Sequence, residues 1–304
     1  MAAPKPKKSG KKPAAKTVST TTAKDDKAVA VSAKNDKPMK GFFARKGDAN
    51  ENILTIFKTP KIWGALLGEV IGTMFVAMFM LTLGIQPLYI IFGLTCVYVA
   101  IVGISGAHFN PLITAGMMAT RRMSAIRGVL YMLAQLLGAW ISALIINAFR
   151  LGGGGAVEAI VMSEISGDSF WTVALVELLG AFIIAFCFAR ALRYARRQPL
   201  TFGLTVASGI TLAVIFGLII SQSYFGLSNS FAFNPVVSLM YQILPTSAEG
   251  FGELAQLAGL ALAAYVLVPV IGGIIGFFVS DIASRLSAGG YTACDCDNDS
   301  EIAA

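Results

Sequence analysis

The sequence predicts an all-α membrane protein: six transmembrane helices plus two half-membrane re-entrant helices, arranged as an inverted repeat. Three observations predict it. The chain of 304 residues is 56% hydrophobic and 13% charged, with a mean hydropathy of +0.70, whereas soluble domains carry about a quarter charged residues. Its apolar residues fall into six runs, each near the ~20 residues needed to cross a hydrocarbon core. Finally, the pair Asn-Pro occurs twice inside the oily part, in HFNPLITAG at 108–116 and in AFNPVVSLM at 232–240. Neither segment is long enough for a further crossing.

The first 61 residues form a region of their own. Of 24 Lys and Arg, 15 lie there against five Asp and Glu, a net of +10. The segment is rich in Lys, Ala, Thr and Pro and nearly free of aromatics before Phe42, so it cannot bury enough apolar surface to fold alone. It reads as a disordered basic tail drawn to anionic lipid head groups, with no nucleic acid expected as a partner. A signal peptide is not expected, because no apolar core follows the early lysines.

The six spans are predicted at 62–84, 88–106, 128–149, 170–192, 201–221 and 254–280. Basic residues mark the cytoplasmic connections. Arg121, Arg122 and Arg127 lie between spans two and three, Arg190, Arg193, Arg196 and Arg197 between four and five, and Arg285 after six. The opposite connections hold Arg150 with Glu158, Glu164 and Asp168. With the Lys-rich tail on the side of those arginines, an even number of spans predicts a multi-pass protein with both termini cytoplasmic; the plasma membrane is the expected location.

The chain also repeats itself. GEVIGTMF at 68–75 in span one corresponds to VELLGAFI at 176–183 in span four. Each places one glutamate, Glu69 or Glu177, early in an otherwise uncharged helix. Each half then carries its Asn-Pro between its second and third spans. Three is odd, so the second copy enters the membrane from the opposite side, an architecture of channels and secondary transporters. Pro111 and Pro235 suit the first position of a helix, where the missing N–H would be unpaired anyway, and Asn110 and Asn234 read as N-caps. Irregular backbone at this depth is tolerated only where protein buries it or water lines it. The half-helices are expected to meet near the midplane with their positive ends facing each other. Each Asn would cap its helix with part of its amide and point NH2 donors into a lumen. Such a field welcomes oxygen lone pairs and opposes a cation.

At these residues a family resemblance enters. Ser105-Gly106-Ala107-His108-Phe109-Asn110-Pro111, with Thr114, resembles the first signature of the aquaporin / major intrinsic protein family. Tyr131, Gln135, Gly138 and Ala139 are similar to that family's third helix. Glu69 with Thr73, and Glu177 with Ala181 in the Thr place, resemble patterns of its first and fourth; Tyr265, Pro269, Gly272 and Gly273 resemble its sixth. The resemblance covers residues 62–284 as a channel domain, between the basic tail 1–61 and a C-terminal cytoplasmic tail 285–304. It implies a homotetramer of independent pores for water or small uncharged solutes such as glycerol, without cofactor or enzyme activity.

The departures from the family pattern bear on selectivity. Leu112 and Val236 stand where the family usually has Ala, so bulkier side chains meet between the half-helices. Val237 stands where most members carry an Arg. By spacing from the asparagines, the remaining filter positions implied are Ile90, Gln222 and Phe231, giving a ring with one polar member and no charge. Losing Arg widens the passage and removes a cationic barrier. An apolar ring, however, replaces few of a solute's waters, at on the order of 1 kcal/mol per lost hydrogen bond, and hydrophobic constrictions dewet. The expectation is modest water flux with tolerance for small neutral solutes.

Other conspicuous residues carry plainer readings. Glu69, Glu177, His108 and Gln135 are expected to support the half-helix loops, with His108 packed or hydrogen-bonded in the vestibule rather than relaying protons. Cys96 and Cys187 fall in spans, where free thiols behave as small apolar groups. Cys294 and Cys296 alone make a weak metal site, and no metal is expected. The glycines at 152–155 lack a following GK[ST], so they read as a loop. Gly68, Gly72, Gly138, Gly180, Gly272 and Gly276 suit close helix crossings. Two other functions stay open: a proton-linked transporter using Glu69, Glu177 or His108, and a closed structural or adhesive relative. No nucleophile–base pair in the membrane part suggests an enzyme.

Overall fold

The computed structural model describes residues 56–82, 86–153, 165, 167–225, 231–241 and 250–288. The expectations for the Lys-rich tail as far as residue 55, for the loop at residues 154–164 and for Cys294 and Cys296 fall outside those residues. Every regular element described is helical: α1 (Pro60–Thr82), α2 (Pro87–Ile101), α3 (Pro111–Ala119), α4 (Ala125–Gly152), α5 (Phe170–Ala191), α6 (Pro199–Phe225), α7 (Pro235–Tyr241), α8 (Phe251–Leu262) and α9 (Val268–Ala288). A π-helical turn, Ala263–Leu267, joins α8 to α9.

Proline sets most of the starts. Five helices, α1, α2, α3, α6 and α7, begin at one, because its fixed φ is already helical and its absent N–H is not missed in the first turn. Pro269 has the opposite effect inside the last crossing. It cannot donate to the carbonyl four residues back, and the chain widens into the π turn just before it, the usual local remedy.

Five segments are long and apolar enough to cross a membrane: Pro60–Met80, Ala125–Phe149, Phe170–Ala191, Pro199–Ile220 and Ala255–Leu286. The sixth expected span, 88–106, is corrected. Its helix α2 stops at Ile101 after 15 residues, about 22 Å at 1.5 Å per residue. The reason lies in Gly103, Gly106 and the left-handed Ala107 (φ +54°), which turn the chain toward the first half-helix. Ile56 is buried, α1 starts at Pro60 and α9 runs to Ala288.

The packing has the symmetry expected of an inverted repeat. α1 lies against α4, and α5 against α9; α2 pairs with α6 across the halves. The half-helices are exchanged: α3 packs chiefly on α9 of the second half, and α7 on α4 of the first. Gly138 permits the α1–α4 crossing, since a Cβ there would overlap the Val70 carbonyl, and Gly272 does the same at the Leu178 carbonyl of α5. Large apolar side chains such as Trp63, Phe92, Trp140 and Trp171 stay exposed on the outside, as lipid-facing surface requires. At one end of the bundle Arg122 pairs with Asp281 and lies 5.6 Å from the Phe277 ring. There too, Arg190 donates to Ser284 Oγ at 2.5 Å.

Candidate functional site

The two short helices meet through their asparagines. Asn110 Nδ2 donates to the carbonyl of Phe233 at 2.8 Å, and Asn234 Nδ2 donates to the carbonyl of Phe109 at 3.1 Å. Each amide nitrogen carries two N–H groups, so this reciprocal clasp uses one per Asn and leaves one over. α3 and α7 hold nine and seven residues, about 13 and 10 Å. Together they amount to less than one crossing, so their ends meet inside the bundle.

The capping expectation holds for one Asn and is corrected for the other. Asn110 Oδ1 accepts from Leu112 N–H at 3.0 Å, with extended backbone at the cap. Asn234 Oδ1 has no hydrogen-bond partner among the described residues, although Asn234 O does accept from Ser238 N–H at 3.0 Å. The second half-helix therefore begins without the side-chain cap that the first one has.

The loop leading into α3 is held by a dense polar cluster. Glu69 Oε1 accepts from Ser105 Oγ at 2.6 Å and His108 N–H at 3.0 Å; Oε2 accepts from Phe109 N–H and Gln135 Nε2, both at 2.8 Å. Gln135 Nε2 also donates to Thr114 Oγ1 at 3.0 Å, and Tyr131 OH donates to the Ser105 carbonyl at 2.8 Å. Consecutive donors converge on one carboxylate because the backbone is bent hard here: Gly106, Ala107 and Phe109 all have positive φ. For Ala and Phe that conformation is costly, and the buried glutamate over-determines it. His108 sits 3.2 Å from Thr114 Oγ1 and packs on Tyr131 and Phe188 at 5.2 and 5.8 Å. It is thus packed and within hydrogen-bond distance of Thr114.

Glu177 holds the second loop more sparely. Its Oε1 accepts from Ala232 N–H at 3.3 Å, and Oε2 has no partner among the described residues. What fixes this loop is aromatic packing. Phe233 takes a left-handed backbone (φ +44°) and drives its ring into Gly180 of α5 and Gly217 of α6. Phe231 stacks on Phe233 at 5.8 Å and 14°. Gly72 receives the Phe109 ring in the same way. Gly72 and Gly180, expected at helix crossings, are therefore corrected to sockets for the two loop aromatics, while Gly138, Gly272 and Gly276 do sit at crossings.

Of the implied filter, Ile90, Phe231 and Val237 all belong to one continuous buried apolar cluster, none exposing more than 7% of its surface. Leu112 and Val236 are equally buried beside the asparagines, with the Leu112 carbonyl against Gly273 of α9. Gln222 lies near the end of α6, its side chain outside the described residues. Two participants were not legible as such: the carbonyls of Phe109 and Phe233, which accept the clasp. The signal was present, since each Asn-Pro is preceded by Phe and each early Glu is followed three residues on by Gly.

Comparison with known proteins agrees with this arrangement. The family model described as "Major intrinsic protein" matches residues 56–280. Among curated relatives, Aquaporin PIP 1-3 of Oryza sativa subsp. japonica is 32% identical over 111 residues, 34% of this chain and 37% of its own length. Aquaporin PIP2-7 of Musa acuminata is 38% identical over 90 residues, 28% of this chain and 30% of its own. The chain thus spans about a third of the length of the curated relatives it matches. In fold it resembles the X-ray structure of the aquaglyceroporin from Plasmodium falciparum. The TM-score is 0.54 at 17% identity, over 75% of this chain and 99% of that one.

Proposed function

Because the chain belongs to the major intrinsic protein family, we propose that it is a passive transmembrane channel for water and small uncharged solutes such as glycerol. The observation that carries this reading is the reciprocal clasp of Asn110 and Asn234 on the Phe233 and Phe109 carbonyls. It sets two positive helix ends and two spare amide donors at one level, where a neutral oxygen gains hydrogen bonds and a cation meets a repulsive field. The buried Ile90, Phe231 and Val237 make the neighbouring constriction apolar, so discrimination there rests on size and on dehydration.

The channel works without a cofactor and without catalysis. It assembles as a homotetramer of independent pores in the plasma membrane, with both termini cytoplasmic and the basic tail beside anionic lipid. Glu69 is spoken for by four donors, which suits a fixed support better than the mobile acid a proton-coupled transporter needs. The test is solute uptake by proteoliposomes in an inward glycerol gradient. The native chain is expected to give fast reswelling, and Val237→Arg to slow it by narrowing the ring and adding charge. Native reswelling no faster than that of empty vesicles would refute the reading.

A further inference from the structure

At the end of the bundle where α1 and α6 begin and α2 ends lies a cavity of about 930 Å³. It is lined by Ile62 of α1, Tyr131 of α4, Val102 just past α2, and Ser105 and Gly106 of the first loop. One buried face of α2 leads inward from it. Ile90, Leu94, Tyr98 and Val102 recur at steps of four residues, and none exposes more than 7% of its surface. Residues four apart are neighbours on a helix surface. Val102 therefore meets the cavity, and Tyr98 stands one turn further in. Ile90, of the apolar constriction, lies about 12 Å beyond Tyr98 at 1.5 Å per residue.

Tyr98 also belongs to a collar of rings drawn from four segments. Its ring lies 5.0 Å from Phe109 and 6.2 Å from Phe202 of α6. Phe202 lies 5.5 Å from Phe188 of α5, and Phe188 lies 5.8 Å from His108. His108 and Phe109 are adjacent in the loop, so the contacts run back to Tyr98. All five side chains are buried. The phenylalanines bring nothing polar to this collar, and His108 Nδ1 is within hydrogen-bond distance of Thr114. What is left is the Tyr98 hydroxyl and His108 Nε2, neither bonded to any described residue. A buried tyrosine hydroxyl ordinarily has a partner. This one lies between the cavity and the clasp, since Asn234 donates to the carbonyl of the same Phe109 whose ring Tyr98 touches.

We propose that Tyr98 is a second selecting residue of the pathway, an inference that rests on the channel reading above. Its ring sets the width between the cavity and the clasp. Its hydroxyl supplies a hydrogen bond that water or a small hydroxylated solute gives up on leaving the cavity. Leu94, Ile90 and Val237 offer none further on, and a wholly apolar passage dewets. The first test is Tyr98→Phe in proteoliposomes. The change keeps the ring and breaks no bond to a described residue, so a tyrosine that only packs would leave transport as it was. Water flux per folded chain is expected to fall about threefold to tenfold, the worth of one hydrogen bond. Tyr98→Ala is expected instead to raise the ratio of erythritol to water permeability; where that variant does not fold, Tyr98→Phe decides alone. A Tyr98→Phe chain as fast as the native one or faster overturns the proposal, as does a folded Tyr98→Ala chain with the native ratio. The second test needs no flux. With Cys96, Cys187, Cys294 and Cys296 replaced by Ala, Tyr98→Cys should react with a small charged methanethiosulfonate, as Val102→Cys does at the cavity wall. Phe75→Cys, exposed on the outside of α1, should not. Reaction at Val102→Cys with none at Tyr98→Cys overturns the proposal whatever the flux. If Tyr98→Cys reacts but the native chain never exceeds empty vesicles, the channel reading fails and the selection falls with it.

Discussion

Glu69 and Glu177 occupy equivalent places in the two halves, yet they hold their half-helices by different chemistry. Glu69 satisfies four donors, with Gln135 and Thr114 bonded around it. In the second half Pro269 stands in the Gln135 place, and its side chain cannot donate. There the loop is held by Phe233 seated between Gly180 and Gly217, with Phe231 stacked upon it. The same strained Phe conformation, at φ +54° and +44°, is thus fixed once mainly by hydrogen bonds and once mainly by packing. An inverted repeat conserves where a half-helix must end, and leaves open which force keeps it there.

The most severe test of that asymmetry is the carboxylate itself. Glu69→Gln turns an NH2 group toward donors that need an acceptor, leaving buried polar groups unpaired, and should cost about 4 kcal/mol. Glu177→Gln should cost about 1 kcal/mol, because the backbone N–H groups of Ala232 and Phe233 face it and the amide oxygen can still accept from them. Thermal unfolding of the two detergent-solubilised variants checks this, and equal losses would dissolve the distinction.

Next in size, and deliberately symmetric, are the aromatic sockets. Gly72→Ala and Gly180→Ala each put a methyl into a loop ring, an overpacking of about 3 kcal/mol. If the sockets are equivalent, the two variants lose comparable folded yield on size-exclusion chromatography. A harmless Gly180→Ala would show that the second loop relaxes around it.

The asparagines separate capping from clasping. Asn110→Ala removes an N-cap and a clasp bond, a loss of about 2 kcal/mol. Asn234→Ala removes the clasp bond alone, about 1 kcal/mol. Chemical denaturation in mixed micelles can resolve that difference, with Asn110→Ser, which keeps a capping oxygen, recovering part of it. The smallest contrast is between Thr114→Val and Ser238→Ala. Thr114 bonds Gln135, His108 and the Asn110 carbonyl, and Ser238, among the described residues, bonds the Asn234 carbonyl. The first should cost about 1 kcal/mol more, measured as the gap between their melting temperatures.

Much of this arrangement was legible in the chain. Long apolar runs and segregated arginines gave the crossings, and the paired Glu and Asn-Pro gave the repeat, because membrane insertion leaves few alternatives at those lengths. The short α2 was missed for a physical reason. Residues 102–106 are as apolar as a helix end, and hydropathy does not register that Gly103, Gly106 and left-handed Ala107 bend the backbone out of it. The uncapped Asn234 was equally invisible, since Asn110 and Asn234 share their immediate neighbours Phe and Pro. The sockets at Gly72 and Gly180 looked like helix-crossing glycines because spacing alone does not say whether a backbone or a ring fills the gap.

The central claim, that the clasped half-helices line a working pore, is tested most directly by stopped-flow light scattering on proteoliposomes shrunk with sucrose. The account predicts shrinkage clearly faster than that of empty vesicles, scaling with the amount of folded protein incorporated. Shrinkage indistinguishable from that of empty vesicles would contradict it.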